Sequence, residues 1–170
     1  MLAACHLPTV TCAALFAVAG CSRDSEAEMR ARLAPWFALG ETLAFQANGG
    51  CAAEAFRLIH DGIGSGLSVQ SSVSAWMRDV ARRGVGALDV PKMTPDAAMV
   101  ASANAARATG TAMRRTSLEA RDCMHDRIGT EFLRLLTAEG IVIGFDANEA
   151  AVMLMDRRNA VLVVAMGARP

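Results

Sequence analysis

The chain has no tyrosine, and its 17 Lys and Arg residues include a single lysine, Lys92. Six Phe and two Trp barely supply a core, which excludes a surface built to stack bases or sugars. Excess charge is missing too: 17 acidic residues balance the 17 basic ones, whereas a dedicated nucleic-acid binder carries a basic excess or stripe. No nucleic acid is therefore expected as a partner. No uninterrupted apolar run reaches the ~18 residues of a membrane-spanning helix, so a multi-span membrane protein is excluded. What the chain does have is apolar bulk. Hydrophobic residues make up 53% and charged residues 20%, which excludes disorder as the main state, and 170 residues suit one domain.

The most specific signal lies at the N-terminus. Residues 9–20 are almost wholly apolar and end in small side chains, and Cys21 opens the polar run Ser22-Arg23-Asp24-Ser25-Glu26. A stretch this short matches a secretory hydrophobic segment better than a finished membrane helix. Val18-Ala19-Gly20-Cys21 resembles a bacterial lipobox: an aliphatic residue, two small residues that fit a narrow peptidase cleft, then the cysteine. The resemblance implies that residues 1–20 are a lipoprotein signal peptide. It also implies that Cys21 is thioether-linked to diacylglycerol and N-acylated, and becomes the first residue of the mature chain. Two or three chains make such attachment stable where one is marginal. The implied place is the bacterial cell envelope, facing the periplasm, with Ser22 favouring the outer membrane. Met1 to Val10 departs from the pattern in carrying no Lys or Arg. The alternatives are an uncleaved anchor, or a start at Met29 that would leave a cytosolic protein.

On that reading Cys5 and Cys12 leave with the signal peptide and Cys21 takes the lipid. Cys51 and Cys123 remain, an even pair in an oxidising compartment. A Cys51–Cys123 disulfide is favoured over two free thiols or a metal site with His60 and His125. No metal or other cofactor is expected.

Residues 21–28 read as a short polar tether, followed by one domain over 29–170. Met29, Leu33, Trp36 and Phe37 share a helical face, and Pro35 ends that helix near residue 34. Glu41–Ala47 reads as a strand, Asn48-Gly49-Gly50 as a hairpin turn, and Cys51–Ile59 as the returning strand, although Ala52, Phe56 and Ile59 also suit a helix. Asp61–Ser71 reads as a Gly- and Ser-rich loop, and Ser72–Gly84 brackets a helix. Val85–Val90 suits a short strand. Thr94-Pro95-Asp96 starts a helix that runs to Ala108 and breaks at Gly110. Thr111–Ala138 carries the longest helical pattern, closed by Gly140. The tail reads as a hairpin, Ala151–Met155 and Ala160–Ala165 about a turn near Asp156–Asn159, with Val161–Ala165 apolar enough to be buried on both faces. The expected fold is α+β, with helices packed on a small, mostly antiparallel sheet and a C-terminal β-hairpin. Leu39-Gly40-Glu41-Thr42 and Ala120-Arg121-Asp122-Cys123-Met124 resemble segments of small uncharacterised envelope proteins of high-GC Gram-negative bacteria, a resemblance that implies no activity.

Catalysis needs a nucleophile or metal with a positioned base, and such groups are few here. Gly64-Ser65-Gly66 lacks the flanking pattern of a nucleophile elbow, and Gly62-Ile63-Gly64-Ser65-Gly66 lacks the Lys of a phosphate loop. No catalytic residue is therefore assigned. The leading expectation is a non-enzymatic, lipid-anchored binding or assembly component, held to the membrane by its anchor and meeting an envelope protein partner. The alternative is a membrane-attached enzyme or small-ligand binder with a site around Glu41, His60, Asp122 and His125.

Overall fold

Strands and helices build most of the described part of this molecule, a computed structural model that covers residues 23–169 in side-chain detail. The lipobox-like segment and Cys21 lie outside the described residues.

Seven strands form one sheet in the order β1-β2-β7-β6-β5-β4-β3. They are β1 (Phe37–Ala47), β2 (Ala52–Ile63), β3 (Val69–Gln70), β4 (Val85–Leu88), β5 (Val142–Asp146), β6 (Ala151–Asp156) and β7 (Val161–Met166). Every neighbouring pair is antiparallel except β3 with β4. The fold is α+β, and β6–β7 forms the C-terminal hairpin in the register Ala151↔Met166 to Asp156↔Val161. All six residues of β7 are buried, as its unbroken apolar run requires of a central strand.

One face of the sheet carries α2 (Val73–Arg83), α3 (Pro95–Ala105), α4 (Arg107–Glu119) and α5 (Asp126–Thr137), packed over Ala53, Ala55, Ile143, Phe145, Val152, Leu154 and Val163. The other face carries α1 (Glu26–Leu33), whose Met29 and Leu33 pack with Phe56, Met153 and Val164. Local signals fix several helix ends. The Ser25 and Glu28 side chains form a capping box on α1, Ser72 and Gly84 (φ +77) bracket α2, and Thr94 caps α3 ahead of Pro95.

The structure corrects four expectations. Residues 23–28 are not a tether. Arg23 and Asp24 are buried, Arg23 N–H donates to Asn48 O at 2.6 Å, and α1 begins at Glu26. Residues 61–71 are not all loop, since β2 runs to Ile63 and β3 follows at Val69. The break after α3 falls at Ala106 (φ −148°), not at Gly110. Gly110 lies inside α4, where it lets the helix touch α3: a Cβ there would sit 2.3 Å from Ala103 N. Finally, Thr111–Ala138 is not one helix. α4 ends at Glu119, a 3-10 turn spans Ala120–Cys123, and α5 starts afresh behind His125. Burial drives that interruption, because Ala120 and Cys123 both sit fully in the core while the chain turns.

Cys51 and Cys123 form a disulfide with Cα atoms 5.9 Å apart, joining the start of β2 to the 3-10 turn. The bond thus ties the β1–β2 hairpin to the turn between two helices rather than to one long helix. Closing a loop across a separation of 72 residues restricts the unfolded chain by roughly 4 kcal/mol. Urea unfolding with and without reductant is expected to show a loss of about that size. The variant Gly110→Ala is expected to lower stability by about 1–3 kcal/mol, because the added methyl collides with α3 backbone. An ordinary helical Gly→Ala change would raise stability, so the sign of the shift in urea midpoint checks this close approach.

Candidate functional site

The residues that sequence reasoning grouped as an alternative site do not converge. Glu41 is exposed on β1, and His60 is exposed near the far end of β2, where its Nδ1 accepts a bond from Gly62 N–H at 3.1 Å. Asp122 is exposed in the 3-10 turn and His125 at the N-cap of α5, so the two do not share a helix. His60 lies nine positions beyond Cys51, about 30 Å of extended chain along β2. Asp122 and His125 lie beside Cys123, at the Cys51 end. His60 borders a shallow hollow with Pro35, Trp36, Gly62 and Gly64, which none of the other three lines. Among the described residues no three His, Cys, Asp or Glu side chains could together hold a metal ion. No helix among them is long and apolar enough to cross a membrane.

Two larger concavities lie along α5. A cleft of about 530 Å³ separates α5 from β1, β2 and β7, lined by Leu43, Ala55, Arg57, Asp126, Thr130 and Val161, among others. A groove of about 400 Å³ runs between α4, the 3-10 turn and α5, with Leu118, Arg121, Met124, Phe132, Leu133 and Leu136 among its walls. The groove is apolar and Arg121 is its only charged wall. Sequence reasoning missed it because it read Thr111–Ala138 as one helix. Leu118, near the end of α4, is exposed.

The strongest perturbations of charge sit elsewhere, at element junctions. Asp79 on α2 accepts bonds from the Ser68 hydroxyl (2.8 Å), Gln70 Nε2 (2.5 Å) and Arg82 (2.7 Å), which hold its carboxyl down to about 2. Those bonds fasten α2 to the edge of the sheet. Arg134 on α5 binds Asp156 at the β6–β7 turn at 2.8 Å, and Asn159 adds a second bond to that carboxylate. Glu54 is the exception, an acid fully buried on the α1 side of β2. Its Oε1 lies 2.9 Å from the Thr42 hydroxyl, which also lies 2.7 Å from Glu26 Oε1, while Glu54 Oε2 has no partner. One hydroxyl proton serves one carboxylate at a time. Burial pushes Glu54 up to about 7, with Glu26 adding to the shift and Thr42 and Arg30 opposing it. Arg30 completes the cluster, donating to Gly40 O and Thr42 and lying 5.1 Å over the Phe56 ring. The composition gave no hint of this acid, because Ala52–Phe56 reads as a strand whatever faces inward.

None of three comparisons, with protein-family models, with curated proteins and with solved structures, finds a match to this chain.

Because the fold holds the Glu54 proton to higher pH than the unfolded chain does, stability is full below about pH 4.5 and falls as pH rises to about 7. Replacing Glu54 by Gln keeps the shape and removes the titration. Chemical denaturation from pH 4 to 8 is expected to show the Glu54→Gln variant flatter than the parent, and on the order of 1–3 kcal/mol more stable at the alkaline end.

Proposed function

We propose that this chain is a lipid-anchored protein of the bacterial cell envelope, its domain held against the membrane as a binding or assembly component. The observation that carries the reading is Val18-Ala19-Gly20-Cys21 behind an apolar stretch and ahead of a polar one. Two structural facts support it. Once Cys21 is set aside for lipid and Cys5 and Cys12 for the signal peptide, the remaining cysteines are Cys51 and Cys123, and these are bonded to each other as an oxidising compartment favours. The fold also takes up the chain at Arg23, whose N–H is bonded to Asn48 O, so a lipid at Cys21 would be separated from the folded domain by at most about 7 Å of chain. A domain so placed works at the bilayer surface and has no reach into the compartment beyond it. The scatter of Glu41, His60, Asp122 and His125 favours a partner-binding role over the alternative site.

Intact mass of the protein from the host membrane fraction tests the anchor. The expected mass begins at Cys21, carries acyl chains, and is lighter by the two hydrogens of the Cys51–Cys123 bond when reductant is left out. The Cys21→Ser variant is expected to leave the membrane fraction almost completely. A chain starting at Met1 or Met29 without lipid would refute the proposal.

A further inference from the structure

The groove between α4, the 3-10 turn and α5 presents the combination that a lipid surface receives. Leu118 and Leu133 both line it, 64% and 62% exposed, far above the exposure usual for leucine. Met124, Phe132 and Leu136 floor it. The one charged wall is Arg121, and Arg114 stands one helical turn before Leu118 on the same face of α4. Among the described residues neither arginine has an ion-pair partner. Exposed apolar side chains rimmed by unpaired cations match an interface with acyl chains inside and phosphates at the rim.

The groove also lies on the side of the molecule where the chain enters the fold. Arg23 N–H bonds to Asn48 O in the β1–β2 turn, and Asn48 N–H bonds to Cys51 O. Cys51 is disulfide-bonded to Cys123. Arg121 and Met124, two and one residues from Cys123, line the groove. One turn and one covalent bond therefore connect the lipid-bearing end of the chain to this surface.

We infer that the α4–α5 groove is the face with which the domain lies on the bilayer, Leu118 and Leu133 entering the acyl boundary and Arg121 and Arg114 meeting headgroup phosphates. The inference rests on the lipid-anchor proposal and adds an orientation to it: the cleft lined by Arg57 and Thr130, and the hollow at His60, are left facing away from the bilayer or along it, where a partner can reach them.

Brominated-lipid quenching of the full-length acylated protein tests it. The protein is reconstituted in phosphatidylethanolamine/phosphatidylglycerol vesicles with or without brominated acyl chains, as the variants L118W, L133W and I59W. Ile59 is exposed on the far part of β2 and serves as the control. The emission added by L118W and L133W is expected to fall roughly twofold in brominated vesicles, and that added by I59W to stay unchanged. A non-reducing mass that retains the Cys51–Cys123 bond shows that each variant is folded. Acylated protein with no quenching at either leucine overturns the orientation and leaves the anchor standing. Chains that instead cross-link through Leu118→Cys in a concentration-dependent way overturn it in favour of a second copy in the groove. A protein without acyl chains overturns the anchor and the orientation together.

Discussion

The ladder between β2 and β7 holds the two ends of the chain together, and most of the architecture depends on it. Its register runs from Ala52↔Met166 to Arg57↔Val161, pairing residues more than 100 positions apart. On one side of it the sheet is only the β1–β2 hairpin; on the other it is a meander of β7, β6 and β5 extended by β4 and β3. A two-stranded ribbon is marginal by itself, so β1 and β2 gain their stability from this docking. Closing so long a loop costs entropy before any contact repays it, which places the ladder among the late, slow steps of folding. Two features then secure the joint from opposite faces of the sheet. The Cys51–Cys123 bond fastens the start of β2 to the helical layer. α1 lies on the reverse side, with Met29 and Leu33 against Phe56 of β2 and Val164 of β7.

Elements specified by neighbouring residues were legible in the sequence. Ser72 and Gly84, Thr94 with Pro95, Pro35 and Asn48-Gly49-Gly50 each constrain backbone within a few positions, and each stands where it was expected. The apolar run of β7 likewise announced a central strand. What went unread depends on contacts between distant residues. Nothing local stops a helix at Ala120; the turn exists because Ala120 and Cys123 are drawn into the core, Cys123 to meet Cys51. β5 was overlooked because Gly144 weakens its strand pattern, although Met153 of β6 packs closely over that glycine. Of the two turns of the meander, the one near Asp156–Asn159 was expected and the one after Asp146 was not. Both put alanine at positive φ, Ala150 at 45° and Ala160 at 51°, where glycine is usual. Each turn is held instead by an aspartate at its start: Asp146 accepts from the N–H groups of Asn148 and Glu149, and Asp156 from those of Arg158 and Asn159.

The candidate site was less legible than the fold for a related reason. Residues valued for their chemistry, His60, Asp122, His125 and Glu41, are all exposed, and no packing draws them together. The buried acids among the described residues are Asp24, Glu54, Asp79, Asp146 and Asp156, and the core bends its rules at these places. Four of them are answered by neighbouring donors. Asp24 meets Arg23, Arg32 at 2.9 Å and Arg169 at 3.3 Å. Asp79 and Asp156 have their bonds to Gln70, Arg82 and Arg134. Asp146 takes the turn N–H groups. Among these acids Glu54 keeps a buried oxygen without a partner, and burial raises it to about 7, so a change of pH near neutrality reaches the α1 side of the β1–β2 hairpin.

That part is also close to the proposed anchor. Arg23 bonds to the carbonyl of Glu149 between β5 and β6, and Arg32 of α1 is paired with both Asp24 and Glu149. Asp24 is almost wholly buried, so removing any one of its arginines would leave charge in the core less well compensated. The first residues of the domain are thus clamped to α1, to the β1–β2 turn and to the C-terminal Arg169 at once. A lipid at Cys21, as proposed, would act on this clamp across at most about 7 Å of chain. Under the proposed anchor, pull or tilt at Cys21 would pass through Arg23 and Asp24 into the sheet, and the surface on which the domain rests would set its orientation. For a protein proposed to bind at the membrane, that rigidity fixes which face a partner meets.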